Sequence, residues 1–144
     1  MSKATQPEII RQLVAAVNAH PDASPFELDA VCAPTGSRVI CTPPVMDTDD
    51  DWLVFVPESM VDFVNEYLEK AGATHSEEQE HYPDGVVWWF GELNIIVLYD
   101  YPTFYRWVAA TYYARLAGLN SKQARKDFFG AMIDMRPTLD SLTL

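Results

Sequence analysis

Positions 49 to 56 constrain this chain more than any other stretch: Asp49, Asp50 and Asp51 run straight into Trp-Leu-Val-Phe-Val at 52–56. That apolar run is short and rich in aromatic and branched residues, so it reads as a buried strand. The rest of the chain supplies helices and further strands around it. Residues 7–19 place Ile9, Ile10, Leu13, Val14 and Val17 at helical spacing behind Pro7, and Pro21 closes that helix. Residues 27–33 are a candidate strand ending at Pro34, and Pro43-Pro44 rules out regular structure just beyond, leaving room for one short helical turn. Residues 59–71 form a helix with Met60, Val61, Val64, Tyr67, Leu68 and Ala71 inward and Gly72 as its stop. Residues 73–84 read as a solvated acidic loop. Two strands at 86–90 and 94–99, separated by Gly91-Glu92 and neighbours, read as an antiparallel hairpin. Helices at 103–117, stopped by Gly118, and 121–135, started by Ser121, finish the chain. The order α β β α β β α α implies an α/β (α+β) protein: a small mixed sheet flanked by helices, with two C-terminal helices.

Length and composition fit that reading. The chain has 144 residues, 49% of them hydrophobic, which suits one domain over 1–144 with its own core. No apolar run reaches the ~20 residues of a membrane span, and the N-terminus has no apolar leader, so the expected setting is the cytoplasm. Cys32 and Cys41 are expected as free thiols there. His20, His75 and His81 form no zinc-binding spacing. The net charge is −11, from 10 Lys and Arg against 21 Asp and Glu. That balance argues against duplex DNA, which is held by basic residues displacing counterions. It suits solubility, or docking on a basic surface, including by imitation of nucleic acid.

Chemistry concentrates between Thr35 and Val56. Gly36-Ser37-Arg38 stands at a strand exit, and eleven residues separate Ser37 from Asp49. In extended backbone Asp49 and Asp51 project to one side and Asp50 to the other. Two neighbouring carboxylates repel unless a cation lies between them, and Mg²⁺ suits hard oxygen donors and phosphates. Gly36 lets backbone approach a phosphate, and Ser37 can donate to it. A run of aspartates before a strand also serves as a solvated cap.

This pattern resembles the polymerase-β-like nucleotidyltransferase superfamily: Gly-Ser, a short spacer, then Asp-x-Asp before an apolar strand. Asp47-Thr48-Asp49 offers an alternative register, but Asp49-Asp50-Asp51 abuts the strand. The likeness extends to small nucleotidyltransferase-like proteins of tailed bacteriophages. It is carried by Gly91-Glu92-Leu93-Asn94-Ile95-Ile96-Val97, Ala110-Thr111 and Lys122-Gln123-Ala124-Arg125 with Phe129, in that order. The resemblance implies a minimal nucleotidyltransferase fold and a site in which Asp49 and Asp51 bind Mg²⁺. Gly36, Ser37 and Arg38, with Lys122 and Arg125, would then contact the nucleoside triphosphate. Active members usually carry a third carboxylate on a neighbouring strand. Here Asn94 falls at that place, with Glu92 two residues earlier as a possible substitute and Asp100 as a poorer one.

Three functions are expected from this reading. One is Mg-dependent transfer of a nucleotidyl group from an NTP to an acceptor. Another is a catalytically degenerate scaffold, used as a phage effector that binds and inhibits a host protein in the host cytoplasm. The third is a nucleotide sensor without turnover. The basic patch of Lys122, Arg125 and Lys126 reads either as a solvated face or as a contact for a triphosphate or a nucleic acid strand. Trp88, Trp89, Trp107 and Tyr99, Tyr101, Tyr105, Tyr112 and Tyr113 are assigned mostly to the core, with Trp88 and Trp89 on opposite faces of their strand.

Overall fold

A computed structural model describes residues 6–41, 49–76 and 85–133. Strands β1 (Val31–Thr35), β2 (Asp50–Phe55), β3 (Thr74–His75), β4 (Gly85–Phe90) and β5 (Leu93–Leu98) form one sheet in the order β1-β2-β5-β4-β3. The β2–β5 pair is parallel and the other three pairs are antiparallel, so the sheet is mixed. Helices α1 (Glu8–Asn18) and α3 (Val61–Lys70) cover one face, and α4 (Tyr101–Leu116) covers the other with α5 (Lys122–Ile133) against it. A short helix α2 (Ser37–Ile40) links β1 towards β2.

Alternation along the central strands builds both cores. Trp52 and Val54 of β2 and Ile95 and Val97 of β5 face Ile10, Leu13 and Val17 of α1 and Val64 and Leu68 of α3. Leu53 and Phe55, with Ile96 and Leu98, face Phe104 and Trp107 of α4. Both faces are therefore covered, which is why 52–56 carries no polar residue. Gly72 and Gly118 follow α3 and α4 at φ +93° and +67°, the left-handed backbone that ends a helix. Among the described residues no helix is long and apolar enough to cross a membrane.

The α/β class, the mixed sheet and the hairpin stand as expected, while several boundaries move. The first strand runs over Val31–Thr35 rather than 27–33, and Pro34 lies inside it. Proline is tolerated because β1 is a sheet edge, where a missing N–H costs no ladder bond on the outer side. The expected loop at 73–84 contributes the two-residue edge strand β3, and the rest of it, 77–84, lies outside the described residues. So do Pro43-Pro44, the alternative register through Asp47-Thr48, and the last residues of the helix expected to reach 135. Ala71 caps α3 in an exposed position instead of packing inward, because the helix ends one residue before it. Both cysteines are free thiols.

The aromatic assignment needs the largest correction. Trp88 and Trp107 are core residues and Trp89 is half-buried on the opposite face from Trp88. Tyr101, Tyr105, Tyr112 and Tyr113 are exposed, because α4 turns other residues to the sheet: Thr103, Phe104, Trp107, Ala110, Thr111 and Ala114.

Candidate functional site

The site is set by where β1 ends and how β2 and β5 pair. Thr35 lies opposite Asp51, Asp51 lies beside Asn94, and Asn94 lies opposite Trp89. Strand alternation puts these four on the α4 face, as a row across the sheet. The buried Thr35 hydroxyl meets the Thr111 hydroxyl of α4 at 2.7 Å, and Thr111 in turn donates to the Trp107 carbonyl at 2.9 Å. With the Thr111 proton so used, Thr35 is the donor. This link pins the end of β1 beneath α4, immediately before Gly36.

Gly36 caps α2 at φ 81° and ψ −171°, a backbone region that is essentially glycine's own. Its Cα packs directly on the Asp51 carboxylate: a Cβ there would overlap Asp51 Oδ2 and lie 2.9 Å from Asp51 Cγ. The other carboxylate oxygen, Oδ1, accepts a hydrogen bond from Asn94 Nδ2 at 3.0 Å. Asn94 is 5% exposed, and its own Oδ1 is a buried acceptor with no hydrogen-bond partner among the described residues. Burial pushes the Asp51 carboxyl up from 3.8 to about 6; the Asn94 hydrogen bond and Arg38 oppose that rise, and Asp49 and Asp50 add to it. Asp49, exposed just before β2, is thus close enough to be felt electrostatically.

Asp50 turns to the other side of β2, where Trp52 Nε1 donates to its carboxylate at 3.0 Å. Arg38 bridges Asp50 and Glu92, with N···O separations of 4.0 and 3.5 Å. The structure therefore brings Gly36, Asp51 and Asn94 into one cluster with Asp49 beside it, and gathers Arg38, Asp50 and Glu92 into a second. Ser37 opens α2 next to Gly36 and is half-buried.

Glu92 does not stand in for a third carboxylate. It sits in the turn before β5, its side chain is 87% exposed, and its ion pair is with Arg38. The Gly91 turn, at φ 62°, ends strand geometry before Glu92, so the expected shared face with Asn94 is lost. Asp100 is a helix cap: its Oδ2 accepts from the Thr103 N–H at 3.1 Å and from the Thr103 hydroxyl at 2.5 Å. Asn94 alone stands abreast of Asp51 on β5.

Lys122 is exposed at the start of α5, whose main packing partner is α4. Arg125 has a structural post. Its Nη1 donates to the carbonyls of Leu119 and Asn120 at 3.1 and 2.7 Å and to Cys41 Sγ at 3.1 Å. It thereby fastens the α4–α5 connection to the end of α2. Arg125→Ala is expected to lower stability by roughly 1.5–3 kcal/mol, the range for hydrogen bonds to a charged group. Thermal unfolding without ligand checks this; an unchanged melting temperature would free Arg125 for a ligand-binding role.

Sequence reasoning missed the Thr35–Thr111 link and the Arg125 clamp. The partners lie 76 and 84 residues apart, and no local spacing signals them. Compared with protein families, curated proteins and solved structures, the chain finds no match.

Proposed function

We propose that this protein binds a nucleoside triphosphate with Mg²⁺ at the Gly36–Asp51–Asn94 cluster and transfers its nucleotidyl group to an acceptor, as a nucleotidyltransferase-like protein. The supporting observation is the register that sets Gly36, Asp51 and Asn94 side by side, in the arrangement the sequence resemblance implies for nucleotide, metal and third position.

The donor set fits one hard divalent cation. Asp49 and Asp51 offer carboxylates, and Asn94 Oδ1 is a buried carbonyl oxygen lacking a partner among the described residues. Among the described residues no three His, Cys, Asp or Glu side chains are grouped to hold a metal, so phosphate and water oxygens would complete the shell. When bound, the ion supplies charge neutralisation on the phosphates. The chain's own residues have separate tasks. Gly36 keeps the backbone low enough for a phosphate to approach, and Ser37 donates from its hydroxyl. Arg38 offers a guanidinium, now shared by Asp50 and Glu92. Asn94 holds Asp51 in place through its N–H, but an amide cannot take the acceptor's proton.

That last point favours a second reading: a scaffold that has lost catalysis and captures another protein, such as a host factor of a phage. Calorimetry separates the two. Mg·ATP or Mg·GTP is expected to bind the wild type, and Asp49→Ala with Asp51→Ala is expected to weaken binding by about 100-fold or more, as for loss of a coordinating charge pair. A wild type that binds neither nucleotide would remove the transferase and sensor readings together and leave protein capture.

A further inference from the structure

We propose that the outer face of α4 is a homodimer interface, on which a second copy of this chain packs its own α4 antiparallel about a two-fold axis near Val108 and Ala109. This inference rests on α4 alone and is independent of the nucleotide reading.

The first observation is what α4 exposes. Helices that are apolar all round are ordinarily buried all round. α4 buries Thr103, Phe104, Trp107, Ala110, Thr111 and Ala114, yet its opposite side leaves Tyr105 at 63%, Tyr112 at 60% and Leu116 at 66% exposed. Tyr101 extends the same stripe, and half-buried Ala109 lies at its middle beside Val108, which is half-buried and also packs against the core beneath α4. At 100° per residue these positions fall on one side of the helix. Tyr112 is further braced by the edge of the Tyr113 ring, with centroids 5.8 Å apart.

The second observation is charge. The chain carries −11, which opposes close approach of two copies over most of their surfaces. Within α4 the only charged residues are Arg106 and Arg115; there is no carboxylate. A copy of an acidic protein meets least repulsion across the face that bears none of its acids.

The third observation selects a second copy over an unrelated partner. The stripe is symmetric along the chain: Tyr105 and Tyr112 lie equally far from the Val108–Ala109 midpoint, and so do Tyr101 and Leu116. A two-fold interface is self-complementary, with residue i on j and j on i. Antiparallel packing about that midpoint sets Tyr105 on the partner's Tyr112 and Tyr101 on the partner's Leu116. Small Val108 and Ala109 side chains at the crossing let the helix axes approach to the usual ~8–10 Å. The two tyrosine pairs then flank the crossing as aromatic anchors. A single helix lane is a small interface, so the dimer should form with a micromolar dissociation constant.

Sedimentation of the full chain from about 1 to 200 µM tests this, spanning the range expected of a small interface. The mass is expected to rise from monomer to dimer with concentration. Tyr112→Glu, at an exposed position that leaves the fold intact, is expected to raise the dissociation constant about tenfold or more. In a Cys32→Ser background, Ala109→Cys is expected to give a disulfide-linked dimer under mild oxidant, because residues near a two-fold axis meet their own copies. A monomer throughout the range overturns the proposal. So does a dimer that Tyr112→Glu leaves unchanged and Ala109→Cys fails to cross-link.

Discussion

Replacing Gly36 by alanine is expected to lower the unfolding free energy by at least about 3 kcal/mol, the combined scale of a backbone outside the ordinary regions and an overpacked contact. Two independent terms add here. The backbone at φ 81° and ψ −171° is closed to a residue with a Cβ. The new methyl would also overlap the Asp51 carboxylate, the group most central to the site. Asp51 cannot move aside cheaply. Its strand is buried from Trp52 to Phe55, and Asn94 holds its other oxygen. Nucleotide binding should fall along with stability. Denaturant titration provides the check. The Asp51→Ala change in the Gly36→Ala background should restore part of the lost stability, since it removes the overlap but not the backbone strain. Strictly additive effects of the two changes would show that Gly36 and Asp51 do not press on each other.

The second large effect concerns Asp51 and pH. Its carboxyl sits at about 6 in the fold against 3.8 ordinarily, chiefly because burial disfavours the charged form. The folded state therefore holds this proton more tightly than the unfolded chain does. Stability linked to Asp51 is greatest below pH 3.8 and is lost as pH rises through about 6. At neutral pH the buried charge costs at most about 3 kcal/mol, less whatever solvent screens at a half-buried group. Asp51→Asn keeps the shape and removes the charge. That variant should melt above the wild type at pH 7.5 without Mg²⁺, and the gap should close as pH falls towards 4. It should also lose Mg·ATP binding. A substitution that stabilises the fold while abolishing binding is the mark of a residue kept for function. An Asn variant that melts below the wild type at pH 7.5, or a gap that ignores pH, would show that the burial of Asp51 carries no such cost.

The same carboxylate bears on the proposed cation. Asp49, Asp50 and Asp51 follow one another in the chain, and among the groups that shift Asp51 the Asn94 hydrogen bond and the Arg38 charge favour its ionised form. Arg38 is the one cation among those groups, and its guanidinium is shared with Asp50 and Glu92, so the carboxylates outnumber it. A bound divalent ion would relieve the cost that the pH experiment measures.

Local chemistry made much of this protein readable from its amino acids. The run at 52–56 is apolar at every position because its strand is covered on both faces, so burial was written into consecutive residues. The glycines at 72 and 118 mark helix ends because only they adopt the left-handed backbone cheaply. Alternation alone separated Asp50 from Asp51, since pleating follows from chain stereochemistry. Gly36 and Ser37 were visible for the same reason: a glycine and a hydroxyl at a strand exit are a local pattern.

What only tertiary structure decided depends on pairing between distant segments. Whether Glu92 or Asn94 stands beside Asp51 turned on two residues of register in the β2–β5 pair and on the Gly91 turn. Alternation assigns positions 92 and 94 to the same face, so it does not choose between them, and composition does not encode the register. Arg125 looked like a free cation until the fold placed three acceptors around it. The tyrosines of α4 looked like core because aromatic residues usually are. Which side of a helix meets the sheet is settled by the whole packing arrangement, and here that arrangement spent Phe104 and Trp107 inward and left Tyr105 and Tyr112 facing out.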